Sequence, residues 1–233
     1  MFSAYLRRGM AAGLLAGLLA GLFALFVGEP LLDRAIEMEH ASGGHSEEVF
    51  SRATQKVGLF FATGLFGVTV GGIFGLVYAV LRDRLSSATD WARSNSLSAA
   101  IFAGAVLIPF LKYPANPPTV GDPATIGDRT IAYFTMVALS LLALLVAWIS
   151  ARLLRERGIE TPPRQLAVGV GLAVVVVFLF VTLPDAASPG DFPAGLLWSF
   201  RLSSLGTQLV LWTGLGVVFG LLCERANRKS GVA

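Results

Sequence analysis

Apolar residues fall into six blocks, roughly 9–27, 57–81, 94–111, 131–154, 166–183 and 203–223. Each is long enough to read as a helical membrane span, and none holds an acidic, basic or histidine residue in its middle. A water-soluble domain could bury one such block. Six of them, in a 233-residue chain that is 55% hydrophobic, leave too little polar surface to face water. The pattern predicts a single all-α integral membrane domain, with the lipid bilayer as its solvent and 28–56, 112–130 and 184–202 as the segments on one side. Span one follows Arg7 and Arg8 in the manner of a secretory leader. Its apolar run is long for one and no small-residue cleavage site follows closely, so it reads as a retained span.

Charge gives these spans a direction. The set of segments holding both termini carries twelve Lys and Arg residues against five carboxylates, while the opposite set carries six against ten together with both histidines. Positive residues are retained on the cytoplasmic side of short loops, which predicts cytoplasmic termini and an acidic outer face. The formal net charge of +3 is then a matter of topology and implies no nucleic-acid partner. The single cysteine, Cys223, has no partner for a disulfide or a metal pair and reads as a packed residue.

The segments suggest three helical hairpins, each rising through an odd span and descending through an even one, whose outer turns begin at Pro30, Pro114 and Pro184. Each descending helix follows an arginine (Arg52, Arg129, Arg201), and the Thr-Gln pairs Thr54-Gln55 and Thr207-Gln208 stand near two of these starts. Span one carries Gly9, Gly13, Gly17 and Gly21 on one ridge and Ala12, Ala16, Ala20 and Ala24 on the next. Such ridges allow close helix approach, to another span, to a second copy in a homo-oligomer, or to a partner helix.

The segment 28–56 holds the most chemistry. Asp33, Glu37 and His40 stand at i, i+4 and i+7, so a helix starting near Pro30 places them on one face, and Gly43-Gly44 would let His45, with Glu47 beside it, fold back toward them. Imidazole and carboxylate together suit a borderline divalent cation such as cobalt, nickel or zinc. The ordinary alternative is that a solvated loop needs charges. Glu29, Asn116, Asp122 and Asp191, with Thr54, Gln55, Thr207 and Gln208, supply further oxygens near the predicted mouth. The neutral ones could equally bond to neighbouring helices. Arg129 and Arg201 are expected to latch the outer loops by pairing with Asp122, Asp128, Asp185 or Asp191. There is no phosphate-binding loop, no carboxylate inside a span and no hydrolase or zinc-protease motif, which argues against ATP hydrolysis, an internal proton relay and an enzyme.

The stretch from Pro109 to Pro118, continuing through Gly121-Asp122-Pro123 and Thr125 to Thr130, closely resembles the CbtA family of presumed cobalt transporter subunits. So do Gly28-Glu29-Pro30, Arg52-Ala53-Thr54-Gln55, Phe200-Arg201-Leu202 and Gly206 to Trp212. The resemblance covers essentially the whole chain. It implies a bacterial inner-membrane protein working in cobalt uptake for cobalamin synthesis; the ion is expected to be Co²⁺, with Ni²⁺ the alternative. It also implies a small one-span, His-bearing second subunit; no bound cofactor is expected. The rival expectation is a scaffold whose span-one ridge docks a metal-conducting partner.

Overall fold

The computed structural model describes residues 2–41, 50–85, 87–118 and 120–229. Among these, six helical stretches are long and apolar enough to cross a membrane: Phe2–His40, Arg52–Arg84, Asp90–Lys112, Pro123–Glu156, Pro163–Thr182 and Ala194–Lys229. Each covers one predicted block to within a residue. The helices are α1 (Phe2–Phe23), α2 (Glu29–Ala41), α3 (Arg52–Leu81), α4 (Asp90–Phe102), α5 (Ile108–Lys112), α6 (Ile126–Glu156), α7 (Pro163–Thr182) and α8 (Ala194–Lys229).

One expectation is corrected at Pro30. The chain does not turn there; α1 runs into α2 through a π-helical stretch, Ala24–Gly28, and α4 runs into α5 through a second one, Ala103–Leu107. In both places a proline, Pro30 or Pro109, stands two residues after the stretch. Proline has no N–H for the carbonyl four residues back and its ring crowds that carbonyl, so the helix widens by a residue and continues. Pro114 and Pro184 do follow helix ends, at Lys112 and Thr182.

The chain forms two compact units. The first comprises Met1–Phe102, Asn116–Thr119 and Phe192–Ala233; the second comprises Ala103–Ala115 and Val120–Asp191. In the first, α1 lies between α3 and α8. Its glycine ridge meshes with a matching ridge on α3: Gly9 faces Gly71 and Gly75, Gly13 faces Gly67 and Gly71, and Gly17 faces Thr63 and Gly67. Backbone lies against backbone, and a Cβ added at Gly13 would stand 2.8 Å from the Gly71 Cα. The neighbouring ridge, Ala12, Ala16 and Ala20, is buried, and Ala16 meets α8 at Gly214. Both ridges of span one are therefore taken up inside the chain.

The packing continues around Phe219, whose ring meets Phe74 edge-on at 5.2 Å and Tyr78 at 4.9 Å between centroids. Cys223 is fully buried in the same cluster, as a packed residue. Two hydroxyls join α4 to α8: Ser94 donates to the Gly216 carbonyl at 2.7 Å and Ser98 to that of Trp212. The predicted first hairpin thus forms as α1 with α3, while α8 closes on α1 and α4.

In the second unit α6 packs on α7 around Met136 and Leu179, and Gly104 receives Leu141 and Leu144 of α6. Phe134 and Leu142 on α6 and Val174, Val177, Phe178 and Val181 on α7 are each more than half exposed. In water such a surface would be untenable; in lipid it is the expected exterior.

Candidate functional site

In the first unit, the acidic end of α1 and α2 is held to the start of α3 by one polar cluster. Ser51 caps α3, accepting from the Thr54 amide, and Arg52 and Lys56 of the first turns reach α2. Arg52 Nη2 lies 2.7 Å from Glu29 Oε2 and 2.6 Å from Asp33 Oδ1, and Lys56 Nζ lies 2.7 Å from Asp33 Oδ2. Arg52 Nη1 also donates to Gln55 Oε1, and Gln55 Nε2 donates to the Phe50 carbonyl. The Glu29 side chain is only 9% exposed, so its charge depends on Arg52 for compensation. Two carboxylates face two cations, and the cluster is internally neutral.

α2 forms where the sequence predicts it and carries Asp33, Glu37 and His40 in the expected register. Asp33, however, is turned to α3, each of its oxygens engaged by a cation. Glu37 and His40 are exposed. Glu37 and Arg34 border a groove of about 450 Å³ whose other wall is Gly195, Leu196 and Ser199 at the start of α8. Among the described residues no three His, Cys, Asp or Glu side chains converge as a metal-binding group. His45 and Glu47 lie outside the described residues.

The two Thr-Gln pairs stand differently on their helices: Thr54 and Gln55 lie in the first turn of α3. α8 begins at Ala194, nine residues before the predicted block, which sets Thr207 about 20 Å along the helix from its start. Gly206 packs on the Phe23 ring, whereas Arg52 stands beside Glu29. Thr207 donates to the Ser203 carbonyl within its own helix, and Thr54 shares a hydrogen bond of 2.9 Å with Ser51.

The two arginines hold loop segments, but through partners other than the expected carboxylates. Arg201 Nη2 donates to Asn116 Oδ1 at 2.8 Å and its guanidinium lies over the Trp198 ring, all within the first unit. In the second unit Arg129 donates to the backbone carbonyls of Val120 and Asp122. The Asp122 carboxylate caps Ala124, Gly121 takes a φ of +94° against the Arg129 guanidinium, and Asp191 is exposed. Lys112 reaches the Phe180 carbonyl at 2.8 Å, satisfying a free carbonyl in the last turn of α7. Tyr113 donates to the Pro184 carbonyl at 2.6 Å. Partial burial, with Asp185 adding to it, pushes the Tyr113 hydroxyl above its ordinary pKa, so it stays a donor.

A second polar cluster, at the opposite end of the first unit, escapes sequence reading. Asp90, the first residue of α4, is 4% exposed and accepts from Tyr78 at 2.5 Å and Asn227 at 2.8 Å, with Arg93 at 3.5 Å. Arg82 bonds the Tyr5 hydroxyl beside it. Asp90 and Asn227 are 137 positions apart in the sequence. The only local signal was a Thr-Asp pair at a helix start, Thr89 Oγ1 capping Ala92.

With this geometry in view, a family model described as "Probable cobalt transporter subunit (CbtA)" matches residues 2–224. No curated protein and no solved structure matches the chain.

Proposed function

The chain belongs to the CbtA family, and from that premise we propose that it takes up a divalent transition-metal ion across the bacterial inner membrane, Co²⁺ first and Ni²⁺ as its competitor, to supply cobalamin synthesis. The family match over nearly the full length carries this reading. The six spans make the protein multi-pass, and the family description as a subunit implies a partner. That partner is the small one-span, His-bearing protein, and both termini face the cytoplasm.

The paired cluster at the acidic end gives the uptake reading a physical form. His40 and Glu37, with His45 and Glu47, gather the ion at the outer face. Glu29 and Asp33 receive it as Arg52 and Lys56 swing away. Two cations leave as one dication arrives, so the cluster is neutral before and after, and no carboxylate is left buried without compensation. Thr207 and Gln208 lie deeper and offer neutral oxygens to the partly dehydrated ion. Arg201 with Asn116, and Arg129 with the Asp122 turn, hold the loops in shape. A membrane potential supplies the drive, worth about 4.6 kcal/mol per 100 mV for a dication. The packing of the span-one ridge on α3 supports the transport reading over the scaffold one.

Radioactive cobalt uptake into proteoliposomes holding this chain alone, under an inside-negative potential, tests the proposal. Saturable uptake that Glu29→Gln and the His40→Ala/His45→Ala pair each reduce supports it. Uptake indifferent to both retires the site. No uptake, with or without the partner, removes the transport function.

A further inference from the structure

We propose that the groove between α6 and α7 binds one anionic glycerophospholipid, its acyl chain along the groove and its phosphate between Arg157 and Arg164. The groove has a volume of about 430 Å³ and opens to the bilayer along small side chains: Ala143, Ala147 and Ser150 on α6, and Ala167 and Gly171 on α7. On α6 it extends from Leu139 to Leu154, about 22 Å of helix against a hydrocarbon half-thickness of about 15 Å, so one leaflet's acyl chain fits lengthwise.

Charge chooses the occupant. The groove-facing stripe of α6 ends at Leu154, and Arg157 is the next residue in that register. The stripe of α7 begins at Ala167 and Val168, and Arg164 precedes them by three and four positions. Both apolar stripes therefore end, at the same end of the groove, about one turn from an arginine. Arg157 is exposed, and Arg164 is half-buried with one nitrogen on the Ile159 carbonyl. Arg152 and Arg155 add charge nearby, Arg152 lying over the Trp148 ring, while Glu156 and Glu160 offset two of the four. A transmembrane helix of a partner would fill the apolar slot but has no need of two arginines at its mouth. A phospholipid anion needs both features, and basic pockets between spans bind anionic head groups. A Cβ placed on Gly171 would meet no atom within 4 Å, so the slot beside it is open.

The full chain is reconstituted in vesicles of equal phosphatidylglycerol and phosphatidylcholine, re-extracted in a neutral detergent, and the lipid retained per chain measured by native mass spectrometry. One phosphatidylglycerol per chain, preferred about thirtyfold over phosphatidylcholine, is expected from two arginine contacts. Arg157→Gln/Arg164→Gln should bring the preference near one, and Gly171→Phe should remove retention of both lipids. Gly171→Leu serves if the larger residue impairs folding, as read by helical circular dichroism. A preference unchanged in the arginine variant, retention unchanged in the filled groove, binding of annular lipid only, or a co-purifying polypeptide in the lipid's place would each overturn the proposal.

Discussion

Replacing Gly13 with alanine adds one methyl group where the two helices touch backbone to backbone. Its Cβ would meet the Gly67 carbonyl, with the Gly67 carbonyl carbon and the Gly71 Cα both at 2.8 Å. Carbon atoms pack at about 3.5–4.0 Å, so α1 and α3 must part by about 1 Å. Neither obstacle is a side chain that can rotate away. Parting them also loosens the Gly9–Gly71 and Gly17–Gly67 contacts on either side. Overpacking costs about 1–3 kcal/mol, and this site belongs at the upper end, about a hundredfold in the folding equilibrium. Gly169→Ala on α7 is the internal control, because nothing lies within 4 Å of its Cβ position. It should be neutral or stabilising by up to about 1 kcal/mol. Reversible unfolding in mixed micelles with a denaturing detergent reads both. Equal stabilities for the two variants, within about 0.5 kcal/mol, would refute the backbone zipper and return the ridge to a partner.

Arg52→Ala should destabilise by about 3–5 kcal/mol, because it strands the Glu29 carboxylate, and adding Glu29→Gln should restore more than half of that loss in the same unfolding assay. Asp90→Asn should cost about 2–3 kcal/mol, since the amide retains one acceptor oxygen for donors that met a carboxylate; a Tyr78→Phe cycle should show coupling, and additivity would place the tyrosine bond outside the cluster's energetics. Lys112→Met should cost about 1.5–3 kcal/mol through the uncapped Phe180 carbonyl, and amide exchange should rise in the last turn of α7, with unchanged exchange counting against the cap.

The spans were legible because bilayer thickness sets one length scale and the hydrocarbon admits few polar side chains. The ends were not, because a helix leaving the membrane continues in water wherever caps and partners allow. Hence α8 starts at Ala194 instead of near Ser203, and α1 passes Pro30 through a π-helical stretch. The glycine ridge at Gly9, Gly13, Gly17 and Gly21 was equally visible, but its partner was not. A four-residue spacing says that something can come close and carries no address. The matching ridge at Gly67, Gly71 and Gly75 becomes meaningful only once α1 and α3 are antiparallel neighbours.

The acidic end shows the same division between type and partner. Charge counting placed Glu29, Asp33, Arg52 and Lys56 on one side of the membrane, and helical periodicity placed Asp33 with Glu37 and His40. Neither could say that Asp33 would be drawn instead to the first turn of α3, because that follows from the tightness of the α1–α3 contact. Small residues let the helices approach, and the approach carries the start of α3 against α2, where Arg52 spans both Glu29 and Asp33. The glycines and the charged cluster are therefore linked. A variant that forces α1 and α3 apart should loosen the Arg52 pairs at the acidic end as well as the packing below them, and accessibility of a cysteine placed at Lys56 to a charged thiol reagent would report it. Raised labelling in Gly13→Ala but not in Gly169→Ala is the expected outcome. Equal labelling would show the cluster holding itself together, with the zipper setting only the distance between two helices.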